Sequence, residues 1–86
     1  MDINSLIAIV KKKINTEIVI EEIKIEDKSF LHKNHEGYQK GKFHLKLTIN
    51  SHQLKKLNKI ESNKKIYKIL NEEMRLFIHS LQILIS

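Results

Sequence analysis

Without a single cysteine, the chain can form no disulfide and offers no thiolate nucleophile. It cannot build a cysteine-type zinc site or hold an iron-sulfur cluster on its own sulfurs. A cysteine-free protein fits a reducing compartment. Proline is also absent, and glycine occurs only at Gly37 and Gly41. These two are separated by Tyr38, Gln39 and Lys40 and are not followed by a strand-to-helix passage. That rules out a phosphate-cradling loop and the tight GxxG clamp that grips nucleotide backbones. Aromatic residues make up 6% of the chain and do not alternate with the basic ones, which argues against a stacking platform for single strands. Long apolar runs are missing too. The start, MDINSLIAIVKKK, has an acid at its head and a short apolar stretch, so neither a secretory signal nor a membrane span is expected, and the expected location is cytoplasmic. No serine is paired in pattern with a histidine and an acid, and a chain of this size has little room for a substrate cleft. The expectation is that it is not an enzyme.

What remains is a globular composition, with 41% apolar and 30% charged residues, and the length of one domain, residues 1–86. The formal net charge of +6 and pI near 9.6 suit a partner rich in phosphate. The lysines are spread through every segment, however, and that pattern predicts weak contact more than sequence readout. Histidine is less evenly spread. Of five histidines, His32, His35 and His44 crowd into residues 29–44, a polar connection lying between two apolar-alternating runs. Connections of that length are functional or disordered. Imidazole is a coordinating group near neutral pH, so His32-x-x-His35 with His44 and His79 is a candidate nitrogen-rich metal site.

Along the chain, Ile3, Leu6, Ile7, Val10 and Ile14 recur at helical spacing, with Asp2 or Asn4 placed to cap and Lys11, Lys12 and Lys13 assigned to the last turn. Residues 18–26 carry β-branched residues whose alternation slips at Glu21 and Glu22, from either a late strand start or a bulge. Phe43, Leu45, Leu47 and Ile49 then alternate with polar residues, with His44 on the opposite face. Residues 51–60 read as a serine-capped turn and a connection. A long helix follows, capped by Ser62 or Asn63, with Ile66, Ile69, Leu70, Met74 and Phe77 on its apolar side. His79, Leu81, Ile83 and Ile85 alternate as a last strand. The order predicts an α+β domain, αββααβ, with one three-stranded mixed sheet and helices on one face. The first two strands are expected to be antiparallel, and the last parallel to one of them.

Several short motifs fall in one register over nearly the whole chain. They are Asp27-x-Ser29, His32-x-x-His35-x-Gly37, His44 at the second strand, Ser51 closing it, Tyr67-x-x-Leu70-x-Glu72-Glu73, and Ile78-His79-Ser80-Leu81. In this the sequence resembles the BolA family. The resemblance implies a type II KH-like fold and a protein that works with monothiol glutaredoxins. In such pairs a bridging 2Fe-2S cluster takes sulfur from the glutaredoxin cysteine and glutathione, and nitrogen from the BolA-like partner. On this chain the implied ligands are His32 and His79, with His35 and His44 as alternatives to His32; the protein alone is expected to carry no cofactor. The chain departs from the family where an aromatic-x-Gly turn and Arg-His-Arg usually lead into the long helix. Here Leu54, Lys55 and Lys56 precede Ser62, Asn63 and Lys64. The second reading is a small nucleic-acid-binding transcriptional regulator that uses Lys55, Lys56, Lys59, Lys64 and Lys65, and this departure weakens it.

Overall fold

The apolar stripe beginning at Ile3 does form a helix. In the computed structural model, which describes residues 1–29 and 42–86, α1 spans Ile3–Glu17 and buries Leu6, Val10 and Ile14. Its cap is Asp2, whose carboxylate accepts from the Ser5 amide at 2.8 Å and the Ser5 hydroxyl at 3.0 Å. These bonds to the charged form hold the Asp2 carboxyl below its ordinary value of 3.8. Because α1 continues to Glu17, Lys11, Lys12 and Lys13 lie inside it, and its last turn carries no basic residue. Their expected place at the helix end is corrected by the length of the helix. Lys13 instead reaches the buried Glu73.

The slip at Glu21 and Glu22 marks a late strand start. Strand β1 is Glu22–Asp27, and it pairs antiparallel with β2, Phe43–Asn50, from Glu22 opposite Asn50 to Asp27 opposite Leu45. Ahead of it only the Glu21 amide reaches β2, donating to the Asn50 carbonyl at 2.9 Å. Before Glu21 the ladder ends among the described residues, because β2 gives way at Ser51 to the short helix α2, His52–Lys55. The backbone there is held by side chains instead: the Val19 amide donates to Gln53 Oε1 at 3.0 Å, and the Val19 carbonyl accepts from the Ser51 hydroxyl at 2.8 Å. The same Ser51 oxygen accepts from the Leu54 amide and caps α2.

Helix α3, Lys59–Ile69, starts earlier than expected. Asn58 is its cap, accepting from the Glu61 amide at 2.8 Å. Ser62 and Asn63 therefore lie in the helix and do not cap it. Ser62 is buried and donates its hydroxyl towards the Asn58 carbonyl at 2.9 Å and the Leu54 carbonyl at 3.2 Å. The long helix is also divided. Leu70, with φ −97° and ψ 19°, ends α3 and precedes α4, Asn71–Leu76. The turn falls beside Asn71, a weak helix former, and leaves both Leu70 and Glu73 buried.

Strand β3, Ile78–Ile85, runs parallel to β2, giving the sheet order β1-β2-β3. One face is apolar, with Leu45, Leu47 and Ile49 of β2 beside Leu81 and Ile83 of β3, and Leu6, Val10, Ile14, Ile66 and Leu70 of the helices complete the core. Met74 and Phe77 pack against it, as core residues should. The other face carries Lys24, Glu26, Lys46, Thr48 and Gln82, and the helices leave it open. This is the α+β domain expected, with a mixed three-stranded sheet. Among the described residues no helix is long and apolar enough to cross a membrane.

Candidate functional site

The polar corner of the molecule lies where β1 ends and where β2 and β3 begin. Strand β3 makes one irregular step there. Phe43 pairs with Ile78, but His44 pairs with Ser80, so His79 is passed over between them. Strict alternation from Leu81 would turn His79 towards the core. The slip reverses the parity, so that Ile78 and Leu81 are both buried while His79 and Ser80 are both exposed. An extra residue of this kind commonly re-aims a side chain near a functional site. The expected regular alternation of His79 with Leu81 is thus corrected, and the imidazole faces outward.

Behind it stands His44, only 6% exposed. Its Nδ1 lies 2.6 Å from the Ser80 hydroxyl, and its ring meets that of His79 edge-on, with centroids 4.9 Å apart and planes at 60°. His44 is itself fixed from both strands. Its amide donates to Ser29 Oγ at 3.0 Å, and its carbonyl accepts from the Lys28 amide at 2.7 Å. The Ser29 amide in turn donates to Asp27 Oδ1 at 2.9 Å, a side-chain-made turn. The chain therefore leaves β1 and enters β2 through one clamp of Asp27, Ser29 and His44. Beside the clamp, the Lys28 ammonium at 3.0 Å holds the Glu26 carboxyl below its ordinary value of 4.5, helped by Lys24 and Lys46.

Two of the candidate ligands, His44 and His79, are thus brought together. His32 and His35 lie outside the described residues. Of the described pair, His79 is the exposed ring, whereas His44 is buried. Among the described residues, no three histidine, cysteine, aspartate or glutamate side chains converge into a metal-holding group. The exposed His79 imidazole offers one coordinating nitrogen, which by itself is not a complete metal site. Ser29 and Ser80, which set this geometry, belong to the motifs that carried the family resemblance, but no spacing rule marks a serine as the partner of a histidine in another strand.

The five candidate nucleic-acid lysines divide between surfaces. Lys55 and Lys59 line a groove of about 400 Å³ along the end of β3, floored by Leu54, Leu57, Ile83 and Ile85. Lys64 and Lys65 face a different groove, of about 930 Å³, between α1 and α3. Lys56 lines neither, standing exposed after α2.

Comparison with known proteins agrees with this architecture. A family model described as BolA-like protein matches residues 14–86. The chain is 34% identical over 77 residues, 90% of its length and 72% of the relative's, to the DNA-binding transcriptional regulator BolA of Haemophilus influenzae. Among solved structures it is similar to the BolA domain of SufE1 from Arabidopsis thaliana, with a TM-score of 0.78 and 23% identity over 100% of this chain and 93% of that one. It is also similar to BolA1 from Arabidopsis thaliana, with a TM-score of 0.75 and 26% identity over 92% and 87% of the two chains. By sequence and by fold, the chain belongs to the BolA family.

Proposed function

We propose that this protein pairs with a monothiol glutaredoxin in the cytoplasm and contributes imidazole nitrogen to a bridging 2Fe-2S cluster. On this reading it has no catalytic activity of its own and acts in iron-sulfur trafficking or iron and redox regulation. The observation that carries the reading is the outward His79 on its irregular strand start, braced by His44 and Ser80. His32 is the second ligand proposed, with His35 or His44 as alternatives; it stands three positions after Ser29, whose hydroxyl is bonded to His44. The cluster, when bound, supplies iron and sulfide for transfer or a redox-sensitive signal. The chain's own part is to hold one ring in a fixed outward pose and to leave sulfur ligation to glutathione and the partner. The test is to mix the protein with a glutathione-loaded monothiol glutaredoxin and compare visible absorption and circular dichroism with those of the glutaredoxin alone. A new spectrum, lost with His79→Ala and His32→Ala together, is expected. An unchanged spectrum with the wild-type protein rejects the proposal.

A second reading, DNA binding, draws on the name of the Haemophilus relative and on Lys55 and Lys59 beside the β3 groove. Scattered lysine favours phosphate contact over base readout, so the expectation is weak, salt-sensitive binding with no preferred duplex near physiological salt. A titration that finds one strongly preferred site, lost on changing Lys55 and Lys59 to Ala, would reverse the order of the two readings.

A further inference from the structure

The groove between α1 and α3 has a different character from the histidine corner. Ile9 of α1 and Ile69 of α3, both half-buried, lie in it. Lysines stand on both walls: Lys12 and Lys13 from α1, and Lys64, Lys65 and Lys68 from α3, against Glu17 as the one acid among the described residues that line it. Lys13 is already committed, with its ammonium 2.6 Å from Glu73 and 4.0 Å from Glu72. The other four make no ion pair among the described residues. A concave, partly apolar strip with uncompensated positive charge along both rims is thus left on the helical layer.

The chemistry of the strip selects among anionic partners. A phosphodiester backbone would use the lysines but gain nothing from an isoleucine floor, and among the described residues no aromatic side chain lines the groove to stack a base. A bilayer is flat and takes up projecting apolar residues, whereas these isoleucines are recessed. An amphipathic helix uses both features, laying its apolar ridge between two helices while its flanking acids meet the rims. From Ile9 to Glu17 the groove runs about 12 Å, enough for about two turns of such a helix.

We propose that the α1–α3 groove docks an acidic amphipathic helix of a partner protein, through apolar contact with Ile9 and Ile69 and charge pairing with Lys12, Lys64, Lys65 and Lys68. This surface is separate from the histidine corner, so partner docking here and cluster ligation there are separable by mutation.

The probe is a fluorescently labelled helical peptide of about 15 residues, with leucine along one face and glutamate on its flanks, titrated by anisotropy against the whole protein. Binding that weakens with salt is expected. Lys65→Glu with Lys68→Glu should weaken it at least about tenfold, as should Lys12→Glu with Lys64→Glu, which draws on both walls. A peptide with lysine in place of glutamate should bind the Lys65→Glu, Lys68→Glu protein better than the wild type, a rescue that a misfolded variant would not show. His79→Ala should leave peptide binding unchanged. In a methyl-labelled sample, Ile9 and Ile69 should report the bound peptide. The proposal is overturned if a scrambled peptide of the same composition binds within about twofold of the designed one. It is equally overturned if Ile9 and Ile69 respond to duplex DNA or to phosphatidylserine vesicles but not to the peptide.

Discussion

His79 owes its exposure to a single backbone irregularity, and its ring rests edge-on against His44, whose Nδ1 meets the Ser80 hydroxyl. Under the proposed function these residues should not be equivalent. His79→Ala is expected to remove the mixed spectrum with glutaredoxin more completely than His32→Ala, for which His35 can substitute. Ser80→Ala, which deletes the hydroxyl 2.6 Å from His44 Nδ1, should leave far-UV circular dichroism intact and shorten the lifetime of the mixed complex, measured as loss of visible absorbance. Imidazole in place of thiolate removes negative charge from the iron it binds, so the reduction potential of the mixed complex should lie above that of the all-sulfur glutaredoxin cluster; a potential at or below it would count against nitrogen ligation. Asp2 gives a pH-dependent counterpart. Its carboxyl is held below 3.8 in the folded state, so the folded protein binds that proton less readily than the unfolded chain. Its contribution is present above the ordinary carboxylate range and is lost as pH falls through the folded value. Wild type should therefore exceed Asp2→Ala in urea midpoint at neutral pH, and the gap should close in strong acid.

At the scale of elements, the helical layer is organised by its caps and by one cross-link. Asn58→Ala, removing the cap of α3, should cost about 1 kcal/mol in urea unfolding, and Asn63→Ala much less, since Asn63 caps nothing. The opposite result would return the helix start to Ser62 and Asn63. The cross-link is Lys13 on Glu73. Glu73 is buried, one carboxylate oxygen takes the Lys13 ammonium at 2.6 Å, and the other has no hydrogen-bond partner among the described residues. The bond to Glu73 raises the Lys13 ammonium above its ordinary value of 10.5, so its contribution is full below that value and is lost as pH rises through the higher folded one. Lys13→Ala should lower the urea midpoint more than Lys12→Ala does, because it strands a buried carboxylate. Lys13→Met with Glu73→Met should recover much of the loss, since an apolar pair can replace a buried ion pair. Should the double substitution be worse than Lys13→Ala alone, the pair would be stabilising in its own right.

For the molecule as a whole, stability rests on one core between a sheet face and a helical layer. Leu47, fully buried in the central strand, should cost about 2–5 kcal/mol when cut to Ala, a large part of the roughly 5–15 kcal/mol a small domain has. Leu84, 44% exposed, should change stability by about 0.5 kcal/mol or less. Equal effects in urea unfolding would contradict the one-sided sheet. That one-sidedness was legible in the sequence, as were the α+β order, the strand directions, the core of α1 and the family, because apolar periodicity and motif spacing are local properties of the chain. The sequence also pointed to Ser51 as a cap. Other features were settled between distant segments. Asn58 became the cap because buried Ser62 bonds back to Leu54 and Asn58. The long helix broke at Leu70, and residues 18–20 stayed out of the sheet because α2 took the place of their ladder partner. The slip opposite Phe43 and His44 turned His79 outward, and the candidate lysines were parted between two grooves. Spacing along the chain states which residues can share a face of one element. Which faces then meet depends on how elements far apart in sequence pack and pair, and only the tertiary structure decides that.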